Sequence, residues 1–424
     1  MNISNYFKGI LALIVILVSY ISTYFILYII GFVTEIPTDI NVLNWDGSWY
    51  NSIVTEGYYL DLENQCNSGF FPGFPYLWKL IGATPLVISF INGILFIVAL
   101  LVLKKLTQSS WKSFLVLLTL PSSFFFFLPY SEALFYFFGA FFINAWLNKS
   151  TTLIITFAIL MSVIRPVFFF LIPAFVALNF FYQDKIILKK SIASIFALLI
   201  GAGLGFIVIG YETGDFFAYS KSQVNQWNHE FKLPSFPLTT WRGYRVLWLD
   251  ALALFVSITA LFFLIKSFFF RKLKKLPFNL SQLEVIGLSY LIMILIYVLF
   301  FHPVEEGRTT ILSVNRYVFC NPFLHYILLK RIQNITFKLN VFLLPVFTGL
   351  IVLLLFGFPF YTIIGLDYKL SIIFGLGLFF YVLFQSLIVY NFKYFNYYIA
   401  IIIVSNLLLQ LYLYNSFLKA NWIG

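Results

Sequence analysis

The sequence predicts an all-α polytopic membrane protein, a single integral-membrane domain over residues 1–424. Three observations carry this. Hydrophobic residues make up 61% of the chain and charged residues only 10%, against about 25% charged in soluble domains. Mean hydropathy is +0.94. The apolar residues also fall into runs near the ~20 residues that cross a hydrocarbon core of ~30 Å. No long polar stretch remains for a separate soluble domain.

In chain order the runs fall at roughly 9–31, 83–103, 112–128, 132–147, 151–164, 167–182, 191–210, 247–267, 283–301, 317–329, 339–357, 371–390 and 397–414, so about 11–13 transmembrane helices are expected. The first run exceeds a signal-peptide hydrophobic region of about 7 to 15 residues, lacks a small-residue cleavage site, and reads as a retained span. With the N-terminus cytoplasmic, the loops on that side collect seventeen of the 27 basic residues beside only Asp184 and Glu284. The other side takes ten basic residues and fourteen of the 16 acidic ones, the segregation of the positive-inside rule. The net charge of +11 is thereby assigned to orientation, and no nucleic-acid partner is expected.

The outward side also receives the three substantial loops, roughly 32–82, 211–246 and 302–316. Cytoplasmic connections are short and basic, so the chemistry is expected outside, at the outer, periplasmic face of a bacterial cytoplasmic (inner) membrane. Cys66 and Cys320 fall on that face and read as two unrelated thiols, although an oxidising compartment would permit pairing. Aromatic residues reach 21%, and runs such as Phe124–Phe127 read as lipid contact and interfacial belts.

The first outer loop differs in character. "NWDGSWYNSIVTEGYY" at 44–59 sets Asp46 between Trp45 and Gly47 and follows it with Trp49 and Tyr50. A carboxylate flanked by amphipathic aromatics at the membrane boundary has the makings of a polar site. The alternative is an aspartate that caps a juxtamembrane helix beginning at Gly47, and composition leaves the two open. "GFFPGFPYLWKLIG" at 69–82 fixes turns near re-entry.

These stretches resemble a known family. W-D-G-x-W-Y, a later G-Y and F-F-P-x-x-P look like the bacterial relatives of the second mannosyltransferase of GPI-anchor assembly, the PIG-V-like branch of the GT-C glycosyltransferases. "LPSSFFFFLPYSEALF" at 120–135, "GDFFAYSKSQVNQWNHEFKLPSFPL" at 214–238, with Gln223 and Trp227, and "NRYVFCNPFLHY" at 315–326, with Arg316 and Tyr317, are similar to later family segments in the same order. The likeness runs over about residues 5–330. Phe216 stands where relatives often carry proline, and His229 where a basic residue is frequent, which puts the sugar and the acceptor in doubt.

The resemblance implies a GT-C fold with an outward-facing active site, the loop 32–82 catalytic, the loop 211–246 substrate-binding and 331–424 a set of C-terminal helices. It implies transfer, with inversion, of a hexose, mannose in the family, from a polyprenyl- or dolichyl-phosphate sugar to a glycolipid, glycan or protein acceptor. Asp46 takes the family's catalytic position as the base for the acceptor hydroxyl. Trp45, Trp49, Tyr50, Glu132, Gln223, Trp227 and Tyr317 are the remaining substrate-binding candidates. The leaving phosphate needs cationic partners, drawn from Arg165, Arg242, Arg245, His302, Arg308 and Arg316.

Arg165 in "VIRPVFF" is either an intramembrane charge, expensive and by default functional, or a solvated turn. Arg316 is either a phosphate partner or an interfacial anchor snorkelling to headgroups, and Glu132 either orients a sugar hydroxyl or sits in an outer turn. Glu305-Glu306 reads as a solvated pair, and no metal and no cofactor beyond the lipid-linked donor are expected. Three histidines without metal-ligand spacing and the lack of a Walker-type glycine loop agree. The rival classes are a lipid-linked sugar transporter or flippase, which would show interrupted helices with midplane polar groups, and a polysaccharide polymerase or ligase.

Overall fold

In the computed structural model helix α1 (Ile3–Ile29) leads into a loop that holds two short helices, α2 (Asp46–Glu56) and α3 (Gly73–Ile81). The structure describes residues 3–241, 244–274, 280–305, 307–332, 339–363, 365–387 and 395–424. Helix α4 (Pro85–Thr107) starts on Pro85, whose missing N–H is an orphan of the first turn anyway, and ends on Lys104 and Lys105 at the negative pole of the helix dipole.

Two hairpins follow that stop short. Helix α5 (Trp111–Leu118) and the 3-10 turns of Pro121–Phe127 lead, through a bend of 100°, into α6 (Glu132–Leu147). Helices α7 (Thr151–Ile164) and α8 (Phe168–Tyr182) meet at Arg165-Pro166, where proline bars a continuous helix. The 16, 14 and 15 residues of α6, α7 and α8 reach only about 24, 21 and 22 Å, less than a core of ~30 Å. Their lower ends lie level with the basic side: the Trp146 indole donates to Gln282 Oε1 at 2.9 Å, and the Lys190 ammonium sits 5.6 Å from the Trp146 ring centre. The upper tips, which carry Glu132 and Arg165, therefore stop short of a full crossing.

Helix α9 (Lys185–Thr213), capped by the Asp184 carboxylate, and α10 (Ala218–Asn225) come next. Helices α11 (Tyr244–Lys274) and α12 (Gln282–Phe300) are full-length. Helices α13 (Val314–Phe319) and α14 (Pro322–Arg331) are one descent broken at Cys320-Asn321, and α15 (Leu339–Leu355), α16 (Tyr368–Ser386) and α17 (Phe395–Leu418) complete the chain. A small ribbon ties two loops together: β1 (Thr239–Thr240) runs parallel to β3 (Arg308–Ile311), which pairs antiparallel with β2 (Val304–Glu305).

This is an integral, predominantly helical membrane protein. Among the described residues seven helices are long and apolar enough to cross a membrane, eight if the bent pair counts as one, and Thr151–Ile164, Phe168–Tyr182 and Leu343–Leu355 are shorter apolar helices; 11–13 spans were expected. Hydropathy does not see breaks: 112–128 is α5 plus 3-10 turns, 317–329 is a helix broken at Asn321, and 151–164 and 167–182 are apolar but too short. The half-spans pack inside the long ones, α7 on α9, α8 on α12 and α6 on α4.

Candidate functional site

Asp46 opens α2, and the residue before it sets its direction. Trp45 has φ +58° and ψ −122°, a region that costs a non-glycine residue on the order of 1–3 kcal/mol and persists only where the surroundings hold it. They do: its ring lies edge-on to Trp241 at 5.6 Å and to Trp422 at 5.1 Å. Gly47 lets α2 press on the segment 128–130, since a Cβ there would stand 3.1 Å from the Val42 carbonyl oxygen and 3.4 Å from Tyr130. Helix α2 closes at Gly57, φ +86°, and the next amide, Tyr58 N–H, donates to Glu212 Oε2 at 2.8 Å. Glu212 also accepts from the Tyr76 hydroxyl.

Helix α2 begins at Asp46 itself, with Trp45 as its N-cap, so Asp46 does not hold the capping position. The capping alternative is therefore replaced by an ion pair. Arg316 Nη2 stands 2.8 Å from Asp46 Oδ2 and 2.6 Å from Glu132 Oε1, while Arg316 Nε donates to the same Glu132 oxygen at 3.0 Å. Arg165 Nη1 reaches Glu132 Oε1 at 2.7 Å. Four charges from α2, the tip of α6, the α7–α8 turn and α13 thus form one chain, Asp46–Arg316–Glu132–Arg165, with zero formal charge.

Exposure divides the four. The Glu132 and Arg316 side chains are 0% and 5% exposed, those of Asp46 and Arg165 17% each, so Asp46 and Arg165 are the reachable pair and the other two back them. Among the described residues Asp46 Oδ1 takes no hydrogen bond, and Glu132 Oε2 is buried without a partner. Aromatic rings wall the cations: Arg316 sits 5.0 Å from the Phe125 ring centre and 4.9 Å from that of Tyr130, and Arg165 lies 5.6 Å from Tyr317. Tyr50 donates to Ser131 Oγ at 2.8 Å, beside Glu132. Separating any of these charges at low dielectric is costly, so the network sets the geometry.

The remaining sequence candidates spread outward. Gln223 Nε2 donates to the Gly69 carbonyl at 3.0 Å and its Oε1 lies 2.7 Å from His229 Nδ1, and Trp227 packs edge-on to Phe70 at 6.2 Å. Both clamp the loop 67–70 instead of touching the ion chain. His302 packs 5.5 Å from the His229 ring and accepts from the Leu312 amide at 3.1 Å. Burial pushes His229 down to about 4 and, with the neighbouring His229, pushes His302 down to about 3, so neither offers a cation to a phosphate at neutral pH. His302 lies with His229, outside the ion chain. Tyr297 links this pair to the site, its hydroxyl 3.0 Å from His229 Nδ1 and its ring 6.2 Å from Tyr317.

Trp49 is partly buried one turn beyond Asp46, and Arg245 is exposed on the first turn of α11, apart from the cluster. Arg308, in β3, lies 5.7 Å from the Tyr361 ring. Arg242 and Glu306 lie outside the described residues. Cys66 and Cys320 are free and buried. Residues the sequence did not single out hold the site together: Gln226 ties Cys66, Asp61 and Asn64, and Asn315 bridges Asp250 Oδ1, at 3.0 Å, to Ser122 beside Arg316. The second glutamine of "QVNQW" was the one visible signal. Trp241 and Trp422 gave none.

Fold and site together define a polytopic membrane protein with a neutral four-charge chain at the tips of half-length hairpins. No family model, curated protein or solved structure matches it, so the PIG-V-like resemblance rests on the motif residues themselves.

Proposed function

We propose that the chain is a membrane glycosyltransferase that moves a hexose, mannose by family resemblance, from a polyprenyl-phosphate sugar to a hydroxyl acceptor at the outer face of the membrane. The observation that carries this reading is the Asp46–Arg316–Glu132–Arg165 chain, because it sets a reachable carboxylate and a reachable guanidinium on one rigid support. Asp46 Oδ1 accepts the acceptor proton as the hydroxyl oxygen bonds to the anomeric carbon, and the bond from that carbon to the phosphate oxygen breaks with inversion. Arg165, the reachable guanidinium, holds the phosphate that leaves, and Arg316 adds its positive charge from behind Asp46. Glu132, shared by both, orients them.

The test compares purified wild type with Asp46→Asn on a polyprenyl-phosphate hexose at matched thermal stability. Asparagine keeps the shape and loses the basicity, so transfer should fall by on the order of 10² to 10⁴; transfer within a few-fold of wild type removes Asp46 as the base. One observation favours a second reading. The 100° break before Glu132 is also the kind of interrupted helix that transporters place at their substrate site, and flipping of the lipid-linked sugar in vesicles without transfer would select that class.

A further inference from the structure

Helix α17 ends in a turn that is held from outside the helix. The Asn421 amide donates back to the Ser416 carbonyl at 3.2 Å and the Ala420 amide to that of Phe417 at 2.8 Å, the paired bonds of a Schellman cap. Its left-handed position, φ +61° at Ala420, is one that glycine usually fills, so the reversal needs support from its surroundings. Asn44, two residues before Asp46, gives part of it: its Nδ2 donates to the Phe417 carbonyl at 2.8 Å and to the Leu418 carbonyl at 3.4 Å. Asn415 Oδ1 accepts from the Thr34 and Glu35 amides, each at 2.9 Å. The end of α17 is thereby tied to the loop that carries Asp46.

Beyond the cap, residues 421–424 run into the site, with Ile423 and Gly424 buried. Trp422 lies edge-on to Trp45 at 5.1 Å and to Trp241 at 5.2 Å, so it braces the strained turn that aims Asp46. The Ile423 carbonyl accepts from Asn315 Nδ2 at 3.3 Å, the same amide that donates to Asp250 Oδ1. Gly424 presses on the stem of Arg316. A Cβ there would stand 2.8 Å from Arg316 Cδ and 3.0 Å from its Cγ, and closer still to Phe125 Cζ. Phe125 is also the ring 5.0 Å from the Arg316 guanidinium. Arg316 therefore meets Asp46 and Glu132 at its head and a packed wall along its stem, and its large rotamer freedom is removed by packing as well as by charge.

We propose that residues 421–424 are a positioning strap, which holds Arg316 against Asp46 through its stem and holds the Trp45 turn through Trp422. The inference rests on the proposed function for the reaction it serves, and one of its two readouts involves no reaction. The full chain in lipid nanodiscs is treated with phenylglyoxal, and arginine adducts are mapped by peptide mass. In the wild type Arg245, which is exposed, should label and Arg316 should not. Trp422→Ala and Gly424→Val should each raise Arg316 labelling at least five-fold and leave Arg245 unchanged, whether the valine pushes the stem aside or lifts the segment off it. Trp422→Phe, which keeps a ring against Trp45, should behave as wild type, and so should Tyr397→Ala at an exposed position of α17. In sugar transfer the two loosened variants should lose about ten-fold to a hundred-fold in kcat. Their KM for the donor should stay within about two-fold, because Asp46 and Arg316 act on charge that develops only in the transition state. Unchanged Arg316 labelling in both variants overturns the strap. So does a kcat that holds or rises in them, and a rise would make 421–424 a plug that the reaction must displace. Raised Arg316 labelling with no transfer by any protein, wild type included, keeps the strap and removes the proposed reaction. Transfer by wild type, with both variants equal to it in labelling and kcat, keeps the transferase and removes the strap.

Discussion

Arg316 serves two carboxylates with one planar group, Nε and Nη2 on Glu132 and Nη2 on Asp46. A lysine offers a point charge and cannot span both in that geometry. Arg316→Lys should therefore retain part of the sugar transfer and Arg316→Ala little, measured with purified protein; full activity in the alanine variant would leave Arg316 an anchor. Glu132 is the more demanding position structurally, because removing it strands Arg165 and leaves buried Arg316 only Asp46. Glu132→Gln should destabilise by about 3–5 kcal/mol, the cost of breaking a buried pair from one side, whereas Asp46→Asn, more exposed, should cost clearly less in the same thermal denaturation. Equal losses would mean that exposure does not divide the four charges. Asp46 stood out by its aromatic flanks, Arg165 as a charge in an apolar run, and Glu132 and Arg316 by their resemblance to family segments. Their partnership did not, because Asp46 and Arg316 are 270 residues apart and no local pattern encodes contacts at that distance.

The elements explain why these charges can be where they are. Half-spans α6, α7 and α8 carry Glu132 and Arg165 to their tips and go no further, and the break between α13 and α14 leaves Arg316 at the same level. Beside them the loop elements close over the site through the β1–β3 pairing and through the His229–Tyr297–His302 cluster. That cluster makes a pH prediction. Both histidines have pKa values held below the ordinary 6.5 by burial, at about 4 and about 3, so the folded state takes up protons less readily than the unfolded one. Their contribution to stability is fully present above pH 6.5 and is lost as pH falls toward 4. Thermal denaturation between pH 7.5 and 4.5 should show a fall in midpoint below about 6.5 that His302→Phe flattens; an unchanged profile in that variant would assign the fall to other groups. Hydropathy found most apolar stretches but not their lengths as helices, since Asn321 and Pro166 end helices without lowering the local hydropathy enough to register.

At the scale of the whole molecule, the charge asymmetry gives an orientation to test. The native cysteines are buried, so single cysteines at exposed Glu63 and Lys149 report cleanly to an impermeant maleimide. Glu63→Cys should label from outside intact cells and Lys149→Cys only after lysis. The opposite pattern would turn the Asp46 face to the cytoplasm and remove an outer-face donor from the proposal. Membrane residence and the residue types of the site were determined by the sequence itself, because composition and local residue pattern are local or additive properties of the chain. Tertiary structure alone decided that seven or eight helices among the described residues are long enough to span and that Asp46 pairs with Arg316 at the start of its helix. It also decided that Gln223, Trp227 and His302 build a clamp outside the ion chain. The reason is physical: a buried charge is stable only where its partners converge on it, and that convergence comes from how long and short helices pack, which no single stretch of residues contains.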